Sequence, residues 1–296
     1  MNKVSIVTDG SADLPREIVE KYNIQIAPFQ VIFGDKIYQM MGNFGDLTPD
    51  EFYGKLATAK DYPTTSVPTP QSFVTAFENA DKKAKSIIGI FISKELSGTY
   101  QSALRVVQMN DSMDITLVDS KASTSTLGVL VVEAAKMAKA GSSKEEILAR
   151  LDEFIPKAKL VCVLDSIDSV YRSGRAGWGK KFMVNAFKIK PLIQFEDGKL
   201  VPGGTIRGRE VADNALRFTA SQVVKHAIND LIFVWHVRRP DFANELKEIM
   251  EKNNPEGKEI IVIEAGPVVG THVGAGALAF MYVGDYNNNW LLKQRD

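Results

Sequence analysis

The chain is short of the residues on which most metal, redox and hydrolytic chemistry is built. One cysteine and three histidines stand among 296 residues, too few for a zinc site made by protein ligands alone. The single Cys162 can form no internal disulfide, and in the apolar run 160–164 it reads as a small buried strand residue. Excess charge is missing as well: 36 basic residues balance 36 acidic ones. That balance argues against a nucleic-acid backbone or an anionic membrane surface as the main partner. No run of 18 apolar residues occurs, so no stable membrane insertion is expected. The first nine residues read as a strand rather than as a secretion signal, and the expected setting is a reducing cytoplasm.

Catalytic signatures are absent too. The sequence has no Gly-x-x-x-x-Gly-Lys-Ser/Thr phosphate loop, no His-Glu-x-x-His and no Gly-x-Ser-x-Gly. No catalytic constellation emerges, and neither a metal nor a cofactor is expected; His272 is the one visible base for Ser97, which leaves a hydrolase as a minor reading. What is present is an ordinary globular composition, 45% apolar and 24% charged, without internal repeats or low-complexity tracts.

The first half alternates strand and helix signals. Strands are expected over 4–8, 24–33, 87–92 and 115–118, the third as a continuous apolar run buried on both faces. Helices are expected over 15–22 with Asp13 as cap, from a Thr48-Pro49-Asp50-Glu51 capping box to about 59, over 71–85 after Thr69-Pro70, over 98–109, over 127–140, and from a Ser143 cap to 154. Such alternation implies a doubly wound parallel α/β sheet. After Pro156 the pattern changes to a strand at 160–164 and a hairpin turning at Asp197-Gly198. A long helix over 210–226 follows, then strands at 231–235 and 259–264 flanking a helix over 242–252. The reading is an α/β domain over 1–157 and a mixed α+β domain over 158–296.

Three distant segments share one chemistry: Thr-Thr-Ser-Val-Pro-Thr-Pro at 64–70, Leu-Ser-Gly-Thr-Tyr-Gln-Ser at 96–102 and Gly-Thr-His-Val-Gly-Ala-Gly at 270–276. They offer hydroxyls, exposed N–H groups and an imidazole, with almost no fixed charge. Ser97 stands at a strand-to-helix entrance, where free N–H groups favour an anion; it could equally cap its own helix. Gly98 lets a ligand approach the backbone, and Thr99 follows it. Thr69 reads as a helix cap, which leaves Thr65 and Ser66 without a structural task. His272, among glycines, could donate to a carboxylate or anchor a neutral polar group; His226 and His236 read as structural. Asp9 ends the first strand, where open α/β sheets place ligands, and either orients a neighbour or fixes its own turn. Asp119-Ser120 repeats that strand-end pattern. Arg172, Arg175, Arg207 and Arg209 are loop arginines, solvated or facing a ligand or partner. Phe182, Met183 and Phe187 line a pocket or form a packed helix face.

With Val-Thr-Asp-Gly-Ser-Ala-Asp-Leu-Pro at 7–15, the order and spacing of these segments resemble the DegV family of bacterial fatty-acid-binding proteins, from Val4 to about Val283. The resemblance implies a two-domain fold with the ligand lying between the domains, and a long-chain fatty acid as that ligand. Thr65 and Ser97 match the residues that bond its carboxylate, with His272 the third anchor; Arg207 matches an arginine that contacts the head-group region. It further implies a separate kinase partner that makes the acyl phosphate. Gly10, Ser173 and Ala275 depart from the usual pattern, which reads serine, glycine and proline there. The alternative is a small-molecule enzyme, or a substrate subunit like that of dihydroxyacetone kinases, using His272 on a carbonyl. A third possibility is a regulatory protein whose ligand serves as a signal.

Overall fold

The structure, a computed structural model, describes residues 2–110, 112–175, 177 and 189–292. The chain divides into two compact units. The first takes in Met1–Pro156 with Asp197–Lys199 and Gly266–Val269; the second takes in Lys157–Glu196, Leu200–Ala265 and Gly270–Asp296. Phe182, Met183 and Phe187 lie outside the described residues.

The first unit holds β1 (Asn2–Asp9), α1 (Arg16–Tyr22), β2 (Gln25–Ala27), β3 (Phe29–Phe33), β4 (Lys36–Met40), α2 (Pro49–Thr58) and β5 (Thr64–Ser66). It continues through α3 (Pro70–Asp81), β6 (Ala84–Phe91), α4 (Thr99–Gln108), β7 (Ile115–Asp119), α5 (Thr124–Lys139) and α6 (Lys144–Phe154). Its main sheet is parallel, in the order β2-β1-β6-β7. Ile87, Ile88, Ile90 and Phe91 of β6 are all buried, as a strand covered on both faces requires. One apolar cluster joins Val7, Ile87 and Phe91 of the sheet to Phe73 and Phe77 of α3 and Val106 of α4. Phe73 meets Phe91 edge-on at 5.5 Å, a favoured aromatic geometry. The helix α5 buries residues all around its circumference, the mark of a core helix.

Both expected capping boxes are present, Thr48 with Glu51 and Ser143 with Glu146. The extended stretch 24–33 breaks at Pro28: β2 joins the main sheet, while β3 pairs with β4 and β5 in a small antiparallel sheet. Asp13 is not the cap of α1. That helix begins at Arg16 with Pro15 as its N-cap and no side-chain cap, because Asp13 lies too far ahead of the first turn. With φ of 50°, its buried carboxylate instead accepts from the Gly266 N–H at 3.0 Å and Thr124 Oγ1 at 3.2 Å.

The second unit holds β8 (Ala158–Val163), α7 (Asp168–Arg172), β9 (Ile189–Glu196), β10 (Lys199–Arg207), α8 (Arg209–His226), β11 (Leu231–His236), α9 (Pro240–Lys252), β12 (Glu259–Glu264), α10 (Pro267–Val273), β13 (Leu278–Val283) and α11 (Asn289–Leu292). Two elements have end residues that group with the first unit. The sheet order is β10-β9-β8-β13-β11-β12; β11 and β12 are parallel, and β13 runs antiparallel to both β8 and β11. Sequence reading missed β13, all six residues of which are buried; nothing local to its apolar run separates a strand from a buried helix. Asp197 and Gly198 both take positive φ, the hairpin turn that the Asp-Gly pair demands. The helices α8 and α9 pack Leu216, Val223, Leu246 and Met250 onto Ile232, Val234 and Phe280. Cys162 is buried opposite Ala279, and burial pushes its thiol pKa up, consistent with a packing residue. Among the described residues no helix is long and apolar enough to cross a membrane.

Candidate functional site

In the first unit the candidates Asp9, Ser97 and Asp119 lie at or just beyond the carboxyl ends of the parallel strands β1, β6 and β7. Asp9 ends β1, is fully buried, and accepts from the Ser11 N–H at 2.8 Å, Ser11 Oγ at 2.5 Å and the Ile92 N–H at 2.9 Å. Burial raises its carboxyl pKa, partly offset by these three donors. Asp9 therefore fixes its own turn and the end of β6, and every bond it makes here is internal.

Ile92 leads directly into the turn carrying Ser97. The Ser97 N–H donates to the Ser93 carbonyl at 3.2 Å, while Ser93 Oγ donates to the Gly198 carbonyl at 2.8 Å and accepts from the Glu95 N–H. Gly98 flanks α4, and Ser97 Oγ accepts from the Thr99 N–H at 3.3 Å and lies 2.8 Å from Thr99 Oγ1. Ser97 thus satisfies one orphan donor of the first turn. It is half-buried and Gly98 is exposed. A Cβ at Gly98 would meet nothing within 4 Å, so the start of α4 opens onto free space.

Thr65 and Ser66 have a structural task after all: they form β5, in register with Val31 and Gln30 of β3. Both side chains remain half-buried. Thr69 caps α3, accepting from the Ser72 N–H at 3.1 Å with Pro70 in the first turn, which fixes the exit of β5. Asp119 and Ser120 bond within their own turn: Asp119 accepts from the Lys121 N–H at 3.1 Å, and Ser120 Oγ accepts from the Ala122 N–H at 3.1 Å.

In the second unit, His272 belongs to the short helix α10 and not to an open loop. The glycine-rich stretch is loop only after Val273, where Gly274 and Gly276 take φ of 79° and 88°. A Cβ on Gly274 would strike Ser169 Oγ, and one on Gly276 would sit 2.7 Å from Asp165 Cβ; both positions demand glycine. Burial lowers the His272 pKa to about 4, with the positive charge of Arg175 adding to it. The imidazole is neutral at pH 7, with one N–H to give and one nitrogen to accept.

Arg207 ends β10 and is exposed, as are Arg172 and Arg175. Arg175 Nη1 donates to the Ser173 carbonyl at 2.5 Å. Arg209, read in the sequence as a loop arginine, instead pairs with Asp165, which also binds Lys190, and donates to the Gly276 carbonyl at 3.4 Å. Asp13 was misjudged too, since its partner Gly266 lies far along the chain. No local signal in either stretch names a partner that distant. Among the described residues no group of three or more His, Cys, Asp or Glu is placed to hold a metal ion.

The first unit offers hydroxyls and a helix start, and the second a neutral histidine, groups that give hydrogen bonds more than fixed charge. A family model described as "Uncharacterised protein, DegV family" matches residues 3–285. The chain belongs to the DegV family. It is 30% identical over 283 residues to a DegV domain-containing protein of Staphylococcus aureus, covering 95% of this chain and 98% of that one. It is 32% identical over 285 residues to one from Caldanaerobacter subterraneus, covering 95% and 99%. Among solved structures, DegV of Bacillus subtilis, a fatty acid binding protein, superposes with a TM-score of 0.83 at 27% identity, over 96% of this chain and 100% of its own. A DegV family protein from Thermus thermophilus, described by its fatty acid binding, gives 0.83 at 25% identity with the same coverage.

Proposed function

We propose that this protein binds a long-chain fatty acid in a buried tunnel and presents its head group to a separate kinase, which makes the acyl phosphate. The carrying observation is the near-complete superposition on fatty acid binding proteins of the same family. Thr65, Ser97 and His272 hold the carboxylate; Ser66, Gly98, Thr99 and Arg207 surround it, and Asp9 supports the turn behind it. Two features of the chain favour this. The start of α4 supplies N–H groups and a positive helix end beside an open space at Gly98. His272 is neutral, so it donates to a carboxylate without forming a buried ion pair that would trap the ligand.

Magnitudes divide the labour. About 14 buried methylenes at ~0.8 kcal/mol each give roughly 11 kcal/mol before the costs of association. Hydrogen bonds to a charged head group add only about 1.5–3 kcal/mol each. The tail sets affinity and the head group sets orientation. Ser97→Ala and Thr65→Ala therefore retain lipid but impair transfer to the cognate kinase.

The direct test is organic extraction of the purified protein followed by mass spectrometry. The expected result is about one equivalent of long-chain fatty acid, in keeping with the deep burial such a chain requires. A folded protein that is empty and takes up no added fatty acid sinks the proposal.

A further inference from the structure

We infer that Arg209 is the positioning residue of His272, an inference that rests on the head-group role just proposed. Several bonds hold the segment that carries His272, three of them at its glycines. The Gly274 N–H donates to the Gly270 carbonyl at 3.3 Å and closes α10; the Gly276 N–H donates to the Val237 carbonyl at 2.9 Å; the Gly276 carbonyl accepts from Arg209 Nη1 at 3.4 Å. The first two are main-chain bonds, made possible by glycine at both positions. The third depends on one side chain.

Arg209 is itself fixed. Its Nη2 pairs with Asp165 Oδ1, and Lys190 Nζ binds that same oxygen and the Asp165 carbonyl, the latter at 3.2 Å. Two cations thus hold one carboxylate, and the planar guanidinium carries the position of Asp165 to the Gly276 carbonyl. Asp165 also lies directly beneath Gly276, so one residue seats the loop from below and fixes the arginine that grips it. The loop needs such a grip: two glycines at positive φ flank an exposed Ala275, and glycine is the least self-constrained residue. Gly276 lies four residues beyond His272, so freeing its carbonyl loosens the end of the helical turn on which the imidazole stands.

The test has two independent readouts. The first is the His272 ring resonance of the ligand-free protein by NMR, resolved easily among three histidines. Arg209→Gln and Asp165→Asn are expected to shift and broaden the His272 signal while leaving those of His226 and His236 in place, the internal control that the fold is intact. Arg209→Lys keeps the charge beside Asp165 but lacks the fork, and should disturb His272 in the same way. The second readout is binding of oleate against methyl oleate. Arg209→Gln should weaken oleate roughly tenfold, spare the ester, and add nothing to His272→Ala in the double variant. An undisturbed His272 resonance in all three variants overturns the inference. A disturbed resonance without selective loss of oleate supports the positioning role and removes the carboxylate from His272 instead.

Discussion

Two histidines of the second unit share a pKa of about 4 in different surroundings. His236 ends β11, is 3% exposed, and accepts from the Arg239 N–H on Nδ1 at 3.3 Å. Its depressed pKa comes from burial first, then from Arg238 and Arg239. His272 owes the same value to burial and Arg175, yet it is only half-buried and stands on a turn shaped by two obligatory glycines. One imidazole is packed into the end of a sheet; the other stands beside a loop that requires glycine. A perturbed pKa marks a site only when the backbone around the group is also specialised.

Substitution to alanine separates the pair most sharply. His236→Ala removes a buried ring and leaves the Arg239 N–H without its acceptor, which should cost about 2–3 kcal/mol of unfolding free energy with fatty acid selectivity unchanged. His272→Ala should leave stability within about 1 kcal/mol and weaken a free acid, relative to its ester, by about 1.5–3 kcal/mol. Urea unfolding together with lipid titration reads both. The same stability loss in both variants, with no effect on the acid, would erase the distinction.

Acid provides a second, smaller lever. The His236 pKa falls from 6.5 in the unfolded chain to about 4 in the fold. The unfolded state therefore binds the proton more tightly between those values. Stability from this residue is fully present above pH 6.5 and is lost as pH falls toward 4, by on the order of 3 kcal/mol at most. Protonation also removes the lone pair that accepts the Arg239 N–H. His236→Gln should flatten the acid limb of stability against pH. An unchanged limb in His236→Gln would show that its ring is not held neutral.

Much of this arrangement was legible in the sequence where the cause is local. Capping boxes, the Asp-Gly hairpin, the buried run of β6 and the helix start at Ser97 are each written in adjacent residues, and the order of the three hydroxyl and imidazole segments carried the family. What escaped depends on contacts between distant residues. Thr65 and Ser66 look idle until β3 pairs with them. Asp13 looks like a cap until Gly266 and Thr124 reach it. Arg209 looks solvated until Asp165 and the Gly276 carbonyl take it. His272 looked like a loop residue because glycines at 270, 274 and 276 hide a helical turn that ends only at Val273.

The finest cut falls on Gly98, which bears on whether the first unit contributes to the proposed head-group site alongside His272. Ser97 is partly committed, since its hydroxyl already accepts from Thr99. Gly98 accepts from the Ser102 N–H through its carbonyl, a bond any residue could make; its φ of −72° is ordinary, and an added methyl meets no atom within 4 Å. Gly98→Ala should therefore change stability by no more than about 0.5–1 kcal/mol, in the stabilising direction, through the unfolded chain alone. A protein that needed this glycine only for its fold would lose stability instead. If the carboxylate lies against the start of α4, the same methyl occupies the ligand's approach and weakens the acid without touching the fold. Thermal unfolding of the lipid-free variant, followed by titration with oleate, reads the two effects separately. A variant that is as stable as the parent and binds oleate equally well would move the head group away from this helix start and leave His272 as the main anchor.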